Sequence, residues 1–335
     1  MAELLDPKPH PCGRGNLVRK TGSFCVCRID PYGFERPEDF DYEAYEEFFS
    51  TYLVILTKRA IKWSKLLKRS GGVRKSLTVK RYVRKGIPLE HRARVWMAMS
   101  GAQAQMDQNP GYYQRLLEGE GSPSLEEAIR TDLNRTFPDN VRFRKTAEPC
   151  LQKTLYNVLL AYGLHNQDYY SPAMLGLKTD QEVLAELVRM KLPAVAALMD
   201  GHGVLWTLLV SRWFICLFVD ILPVETVLRI WDCLFNEGSK IIFRVALTLI
   251  KQHQEFILEA KSVPDICDKF KQITKGDFVT ECHTFMQKWT LQLGWKGPCP
   301  LDAHCSVNRL FSRLTFQNTH AHVPQWTQHS LAGHH

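Results

Sequence analysis

Ile129-Arg130-Thr131-Asp132-Leu133-Asn134-Arg135-Thr136-Phe137-Pro138 is the stretch whose reading decides the fold. On a helix, residues three apart sit on one face, so Ile129, Asp132 and Arg135 are expected in line. The acid can hold the guanidinium by a charge-assisted fork while some of its five donors stay open to an outside anion. Pro138 is expected to end the segment and keep Arg135 near a helix terminus. The same spacing also describes an ordinary surface ion pair, worth on the order of a few tenths of a kcal/mol. The rest of the chain has to decide between the two.

Upstream, Asp41 to Arg69 carries Tyr45, Phe48, Phe49, Tyr52, Leu53, Leu56, Ala60, Trp63, Leu66 and Leu67 at helical spacing. This predicts an amphipathic helix, stopped by Gly71-Gly72, whose aromatic stripe packs on the body of the protein. In Arg84-Lys85-Gly86-Ile87-Pro88-Leu89-Glu90-His91-Arg92-Ala93-Arg94-Val95-Trp96, Gly86 and Pro88 mark a turn into a helix that stops near Gly101. Its basic residues read as a solvated face.

Downstream, Leu151, Leu155, Val158, Leu159 and Tyr162 predict a helix ending near Gly163. Thr179-Asp180-Gln181-Glu182 reads as a capping box opening a helix with Val183, Leu184, Leu187 and Val188 buried, broken by Pro193. Ala194 to Met199 follows as a short helix. The run Gly203 to Leu222 is long enough to span a bilayer, but Arg212 lies near its middle, so a buried central helix is expected instead. Helices with Val224, Val227, Leu228, Trp231, Leu234 and Phe235 inward, and then Ile242, Val245, Leu249 and Phe256, complete an all-α pattern.

The chain has 335 residues, 45% hydrophobic, enough for a sizeable core. Its net charge of +8 comes from 43 basic residues interleaved with 35 acidic ones. That balance suits an acidic or phosphate-bearing partner and does not call for nucleic acid. Ten scattered cysteines and a first stretch without a signal-peptide pattern lead to the expectation of reduced thiols and a cytoplasmic location, with no transmembrane segment. No Gly-rich phosphate loop, catalytic Ser or Cys setting, or paired metal-ligand motif stands out. Cys25-Val26-Cys27 lacks a matching pair, and the His and Cys residues after Trp289 fit no familiar zinc spacing.

Three segments in order resemble one family. Arg84 to Trp96 is similar to the opening of the TBC domain, the Rab GTPase-activating fold. Ile129 to Arg135 matches its IxxDxxR motif, and Trp213-Phe214 through Leu222-Pro223 to Arg229-Ile230-Trp231-Asp232 resembles its third block. The resemblance implies an all-α TBC domain over 80–288; composition and periodicity set before it a flexible arm (1–40) and a helical extension (41–79), and after it an irregular, disordered tail (289–335). It implies a GTPase activator rather than an enzyme in its own right. Its partner would be a Rab-family GTPase of vesicle trafficking, and it would have no cofactor of its own, since the partner carries GTP and magnesium. Arg135 takes the place of the arginine finger, with Asp132 positioning it, while Arg92, Trp96, Arg229 and Asp232 match structural positions.

One departure stands out. The family's YxQ motif, whose glutamine orients the attacking water, is absent where Gly163-Leu164-His165-Asn166-Gln167 runs into Asp168-Tyr169-Tyr170. A segment of about two helices looks skipped at 167/168, as in a splice variant. A soft core is therefore expected around that junction, with impaired activity; the alternatives are a form that docks on its GTPase without catalysis or one that is poorly folded.

Overall fold

The computed structural model describes residues 29–30, 32–35, 41–70, 72–119, 121–165 and 175–292. These form α-helices with two isolated β-bridges, the all-α architecture expected.

Helix α1 (Tyr42–Ser70) buries Tyr52 and Trp63 against the body of the protein, and the Trp63 indole N–H donates to the Gly86 carbonyl at 2.9 Å. The rest of its apolar stripe is only partly covered, and Leu53 is exposed, contrary to expectation. Helix α2 (Leu77–Lys85) was not evident in the sequence, because only Val79 and Val83 are buried in an otherwise basic stretch; Ser76 caps it by accepting from the Val79 amide. Gly86 ends it at φ 109°, and a Cβ there would stand 2.7 Å from Arg229 Nε, so a close approach as well as the dihedral demands glycine.

Helix α3 (Leu89–Ser100) ends at the left-handed Gly101 as the sequence suggested, and buries Arg92, Val95, Trp96 and Met99. Two short helices follow, α4 (Ala102–Gln108) and α5 (Tyr112–Glu118), with no buried residue and hence no periodicity to betray them. Helix α6 (Pro123–Asn134) opens with Ser122 as cap and Pro123 in its first turn. Helix α7 (Leu151–His165) ends two residues past Gly163, near where the sequence placed its end. That glycine faces Leu125 so closely that a Cβ would meet it at 2.8 Å, which makes it a packing residue rather than a stop.

Helix α8 (Leu175–Lys191) corrects the capping-box reading. Thr179 lies inside it, Asp180 and Gln181 are buried, and the Gln181 amide donates to Ser211 Oγ at 2.8 Å. Pro193 starts α9 (Pro193–Gly201), as expected. The apolar run read as one helix is shorter, α10 (Trp206–Ile215). A tight turn follows, with positive φ at Leu217, Phe218 and Asp220, that folds the buried Phe218 back toward Trp213.

Helices α11 (Val224–Glu237) and α12 (Lys240–Gln252) form the centre. Residues along nearly the full length of α12 are buried, and α11 packs on α2, α3, α12 and the last helices. The remainder is α13 (Gln254–Leu258), α14 (Val263–Gln272), α15 (Asp277–Thr280) and α16 (Cys282–Gln292). Helix α16 extends past 288, where the sequence pattern fades.

Two apolar clusters result. The main core joins α1–α3 with α8–α16, whereas Ile129, Leu133 and Ala161 are buried outside it, between α6 and α7. The strong packing of α5, α6 and α7 is among themselves. Helix α7 is rich in apolar residues, yet only Ala161 and Gly163 are fully buried. Leu205, which precedes α10, and Leu208 and Ile215 on it are 71%, 64% and 55% exposed. Helix α7 ends just before the suspected junction, and Gln167 and Asp168 themselves lie outside the described residues, as do Cys25, Cys27 and the tail after 292.

The arm expected to be flexible contributes an ordered piece. Ile29 bridges Glu35, and Phe34 bridges Asn140. Asp30 organises this turn, its Oδ1 accepting from the amides of Tyr32 and Phe34 at 2.9 Å each.

Candidate functional site

Buried Ile129 and Leu133 anchor α6 against α7, and this decides where the exposed side of the helix looks. Ile129 is fully buried while Asp132 and Arg135 face solvent, so the three do not share one exposed line as the spacing suggested. Arg135 is not inside the helix either. It is the C-terminal cap, and the helix stops at Asn134, before Pro138. The terminal carbonyls are satisfied locally: Thr136 Oγ1 donates to Asp132 O at 2.7 Å, and the Gln152 amide donates to Leu133 O at 3.1 Å. Phe137 then turns the chain with φ 49°.

Arg135 Nε and Nη2 both donate to Asp132 Oδ1, at 3.1 and 2.6 Å. Both donors of the fork land on a single carboxylate oxygen. The Nη1 group makes no hydrogen bond among the described residues. With side chains 77% and 48% exposed, the pair contributes at most about 1 kcal/mol to stability. What it does is aim a planar cation outward with donors to spare. Farther back on α6, Arg130 pairs with Glu126, which also accepts from the Tyr156 hydroxyl of α7.

The other four motif residues meet in the interior. The Asp232 carboxylate on α11 takes three donors: Arg92 Nε at 3.0 Å and Trp96 Nε1 at 2.8 Å on Oδ1, and the Ile87 amide at 3.0 Å on Oδ2. One turn earlier, Arg229 Nη2 donates to Arg84 O at 2.8 Å. These bonds pin the α2–α3 corner onto α11 and do not reach Arg135's surface.

Two neighbouring clusters had no sequence signal. Glu237 accepts from Arg84 Nε and Nη2 at 2.6 and 2.7 Å, with Lys80 at 3.2 Å. Burial alone would raise this carboxyl, but the Arg84 and Lys80 bonds and charges outweigh it and hold it below its ordinary value. His283 on α16 lies between Arg59 and Arg229, whose Nη2 and Nη1 are each 3.3 Å from its Nδ1. Burial first, and then the Arg59 and Arg229 charges, push its pKa down to about 3, so the ring is neutral near pH 7.

Among the described residues no group of three His, Cys, Asp or Glu side chains is arranged to hold a metal, and no helix is long and apolar enough to cross a membrane.

The Rab-GTPase-TBC domain matches residues 89–170 and 164–258, which takes in α6, Arg135 and the Asp232 network. This chain belongs to the RabGAP-TBC family. RabGAP-TBC relatives include mouse growth hormone-regulated TBC protein 1, 77% identical over 318 residues, covering 78% of this chain and 89% of the relative. The human protein of the same name is 74% identical over 301 residues, with 78% and 89% covered. The fold is that of two solved RabGAP-TBC structures. The Chlamydomonas flagellar RabGAP TBC domain gives a TM-score of 0.65 at 24% identity, covering 79% of this chain and 99% of that one. The Ypt/Rab-GAP domain of Gyp1p gives 0.58 at 16%, covering 70% and 97%.

Proposed function

We propose that this RabGAP-TBC chain binds a Rab-family GTPase and supplies Arg135 in trans to the GTP that the partner holds with magnesium. The observation that carries the reading is the outward guanidinium of Arg135, held on one oxygen of Asp132, with Nη1 making no hydrogen bond among the described residues, at the motif position that the resemblance gives to the finger. Hydrolysis spreads negative charge over the transferred phosphoryl oxygens, and a planar cation delivered there lowers the barrier. Such a group typically contributes about 10³ to 10⁵ in rate, roughly 4 to 7 kcal/mol. Asp132 positions it. Arg92, Trp96, Arg229 and Asp232 hold the scaffold and touch no nucleotide.

The second half of the reading is impairment. The family match arrives in two pieces that meet at 164–170, and the mouse alignment has more positions than the part of this chain it takes in, so it carries gaps on this side. Half-covered α7 and the exposed Leu205, Leu208 and Ile215 around α10 are what loss of neighbouring helices would leave. With no YxQ glutamine, the chain is expected to accelerate hydrolysis weakly, and only on a GTPase whose own glutamine still orients water. A docking-only form is the alternative favoured by the same exposed faces.

Single-turnover GTP hydrolysis across a panel of Rab GTPases tests this. Weak acceleration with one or a few Rabs is expected, and Arg135→Lys, which keeps the charge but loses the planar fork, should remove most of it. Inserting a family segment with YxQ between Gln167 and Asp168 should raise the rate by orders of magnitude. Full activity that Arg135→Lys leaves untouched refutes the finger. GTP-dependent binding without any acceleration selects docking alone.

A further inference from the structure

The turn at 29–35 joins two parts of the molecule that otherwise pack mainly on themselves. Toward the finger, the Glu35 amide donates to Asp139 O at 2.8 Å, and the Val141 amide donates to Gly33 O at 2.9 Å. The Asn140 side-chain amide donates to Tyr32 O at 3.2 Å, and Arg144 pairs with Glu35. The Phe34 ring meets Phe137 edge-on at 5.6 Å, and Phe137 meets Phe143 the same way at 5.1 Å. Toward the core, half-buried Tyr32 lies near Glu225 and Arg92; partial burial first and then the Glu225 charge raise its phenol, against the opposing Arg92 charge. Gly33, at φ 93°, lies where a Cβ would stand 2.9 Å from Asn140 Oδ1. Only glycine fits that backbone and that gap.

We propose that this turn is a strut that positions Arg135, with Phe34 and Tyr32 as its two footings on the finger loop and the core. The inference rests on the arginine-finger reading above. Arg135 caps its helix from outside, so α6 alone does not fix where the guanidinium points; the residues that follow must share the task. The first of them with unusual geometry is Phe137, in a left-handed conformation that a phenylalanine avoids unless its surroundings impose it. Here the surroundings are the Phe34 and Phe143 rings and the two backbone bonds across the bridge. Release of the strut frees Phe137 to relax, and the backbone two residues from Arg135 moves with it.

The test uses the full chain with Phe34→Ala, Phe34→Tyr and Arg135→Ala, read in two ways. In hydrogen exchange, Phe34→Ala should speed the Asn140 and Val141 amides at least about tenfold while Ile230 and Leu249 stay within about twofold, and Phe34→Tyr should restore protection. In capture on immobilised Rab GTPases, Phe34→Ala and Arg135→Ala should each lose about tenfold on the GDP–aluminium fluoride form, which mimics the transferring phosphoryl group, and under about twofold on the GTP form. Unchanged exchange at 140–141 overturns the strut. So does a Phe34→Ala loss that falls equally on both nucleotide forms, or full retention of the capture that Arg135→Ala loses. If Arg135→Ala keeps all aluminium fluoride capture, or the unaltered chain shows none, the finger reading itself has failed and the strut's role falls with it.

Discussion

Two aspartates show how placement sets the value of a carboxylate. Asp132 holds Arg135 in the open, where water screens the pair, so Asp132→Ala should change stability by under about 1 kcal/mol. Asp232 is buried under three donors, and Asp232→Ala would leave the Arg92 guanidinium uncompensated in the interior, at a cost of about 3–5 kcal/mol. Urea unfolding of both variants checks the contrast; similar midpoints would contradict it. His283 makes a different prediction. The folded chain holds it neutral down to about pH 3, whereas unfolded histidine takes a proton near 6.5. Its contribution is therefore complete above pH 6.5 and is lost as pH falls from there toward 3. His283→Gln should flatten the decline in urea midpoint between pH 7 and 5, and an unaltered slope would assign the decline to other groups. At this scale the sequence was legible only where geometry is local. Asp132 and Arg135 are three apart, while the donors to Asp232 lie 136 to 145 residues away, so spacing could not pair them and only the family resemblance marked them out.

Elements were readable where an apolar stripe met a clear boundary, as in α3 stopped at Gly101 and α9 opened by Pro193. They were misread where tertiary contacts overrule local signals. Thr179 to Glu182 has the residues of a capping box, but α8 begins earlier and turns Gln181 inward to Ser211. The turn after α10 contains neither glycine nor proline, and burial of Phe218 against Trp213 holds it in a conformation no residue type announced. The separation of α5–α7 from the main core also escaped the sequence, since helical spacing shows that a face is buried and not which element covers it. It has a measurable consequence. Amides in α6 and α7 should exchange faster than those in α11 and α12, because the smaller unit buries less apolar surface and α7 is half-covered. Equal protection in the two sets, lost in one cooperative step, would contradict this. The comparison also tests, from the upstream side, the softness expected near the 167/168 junction.

Across the whole molecule, buried apolar side chains among the described residues run from Tyr52 to Met286. Residues 293–335 show no sustained apolar period. A chain ending at Gln292 should therefore melt within about 2 °C of the full one, a shift worth under about 1 kcal/mol for a protein of this size. A larger drop would mean the tail covers part of the core. The turn at 29–35 carries a further consequence at this scale. Its bonds to Asn140 and Arg144 close a chain loop of 108 to 109 residues, and bringing ends that far apart together costs about 4 kcal/mol of chain entropy before any constant term. A contact of such high sequence separation gains nothing until both of its docking surfaces exist. The turn at 29–35 is thus among the last parts to settle, and its docking marks the moment when the 137–144 loop and the core have both been completed.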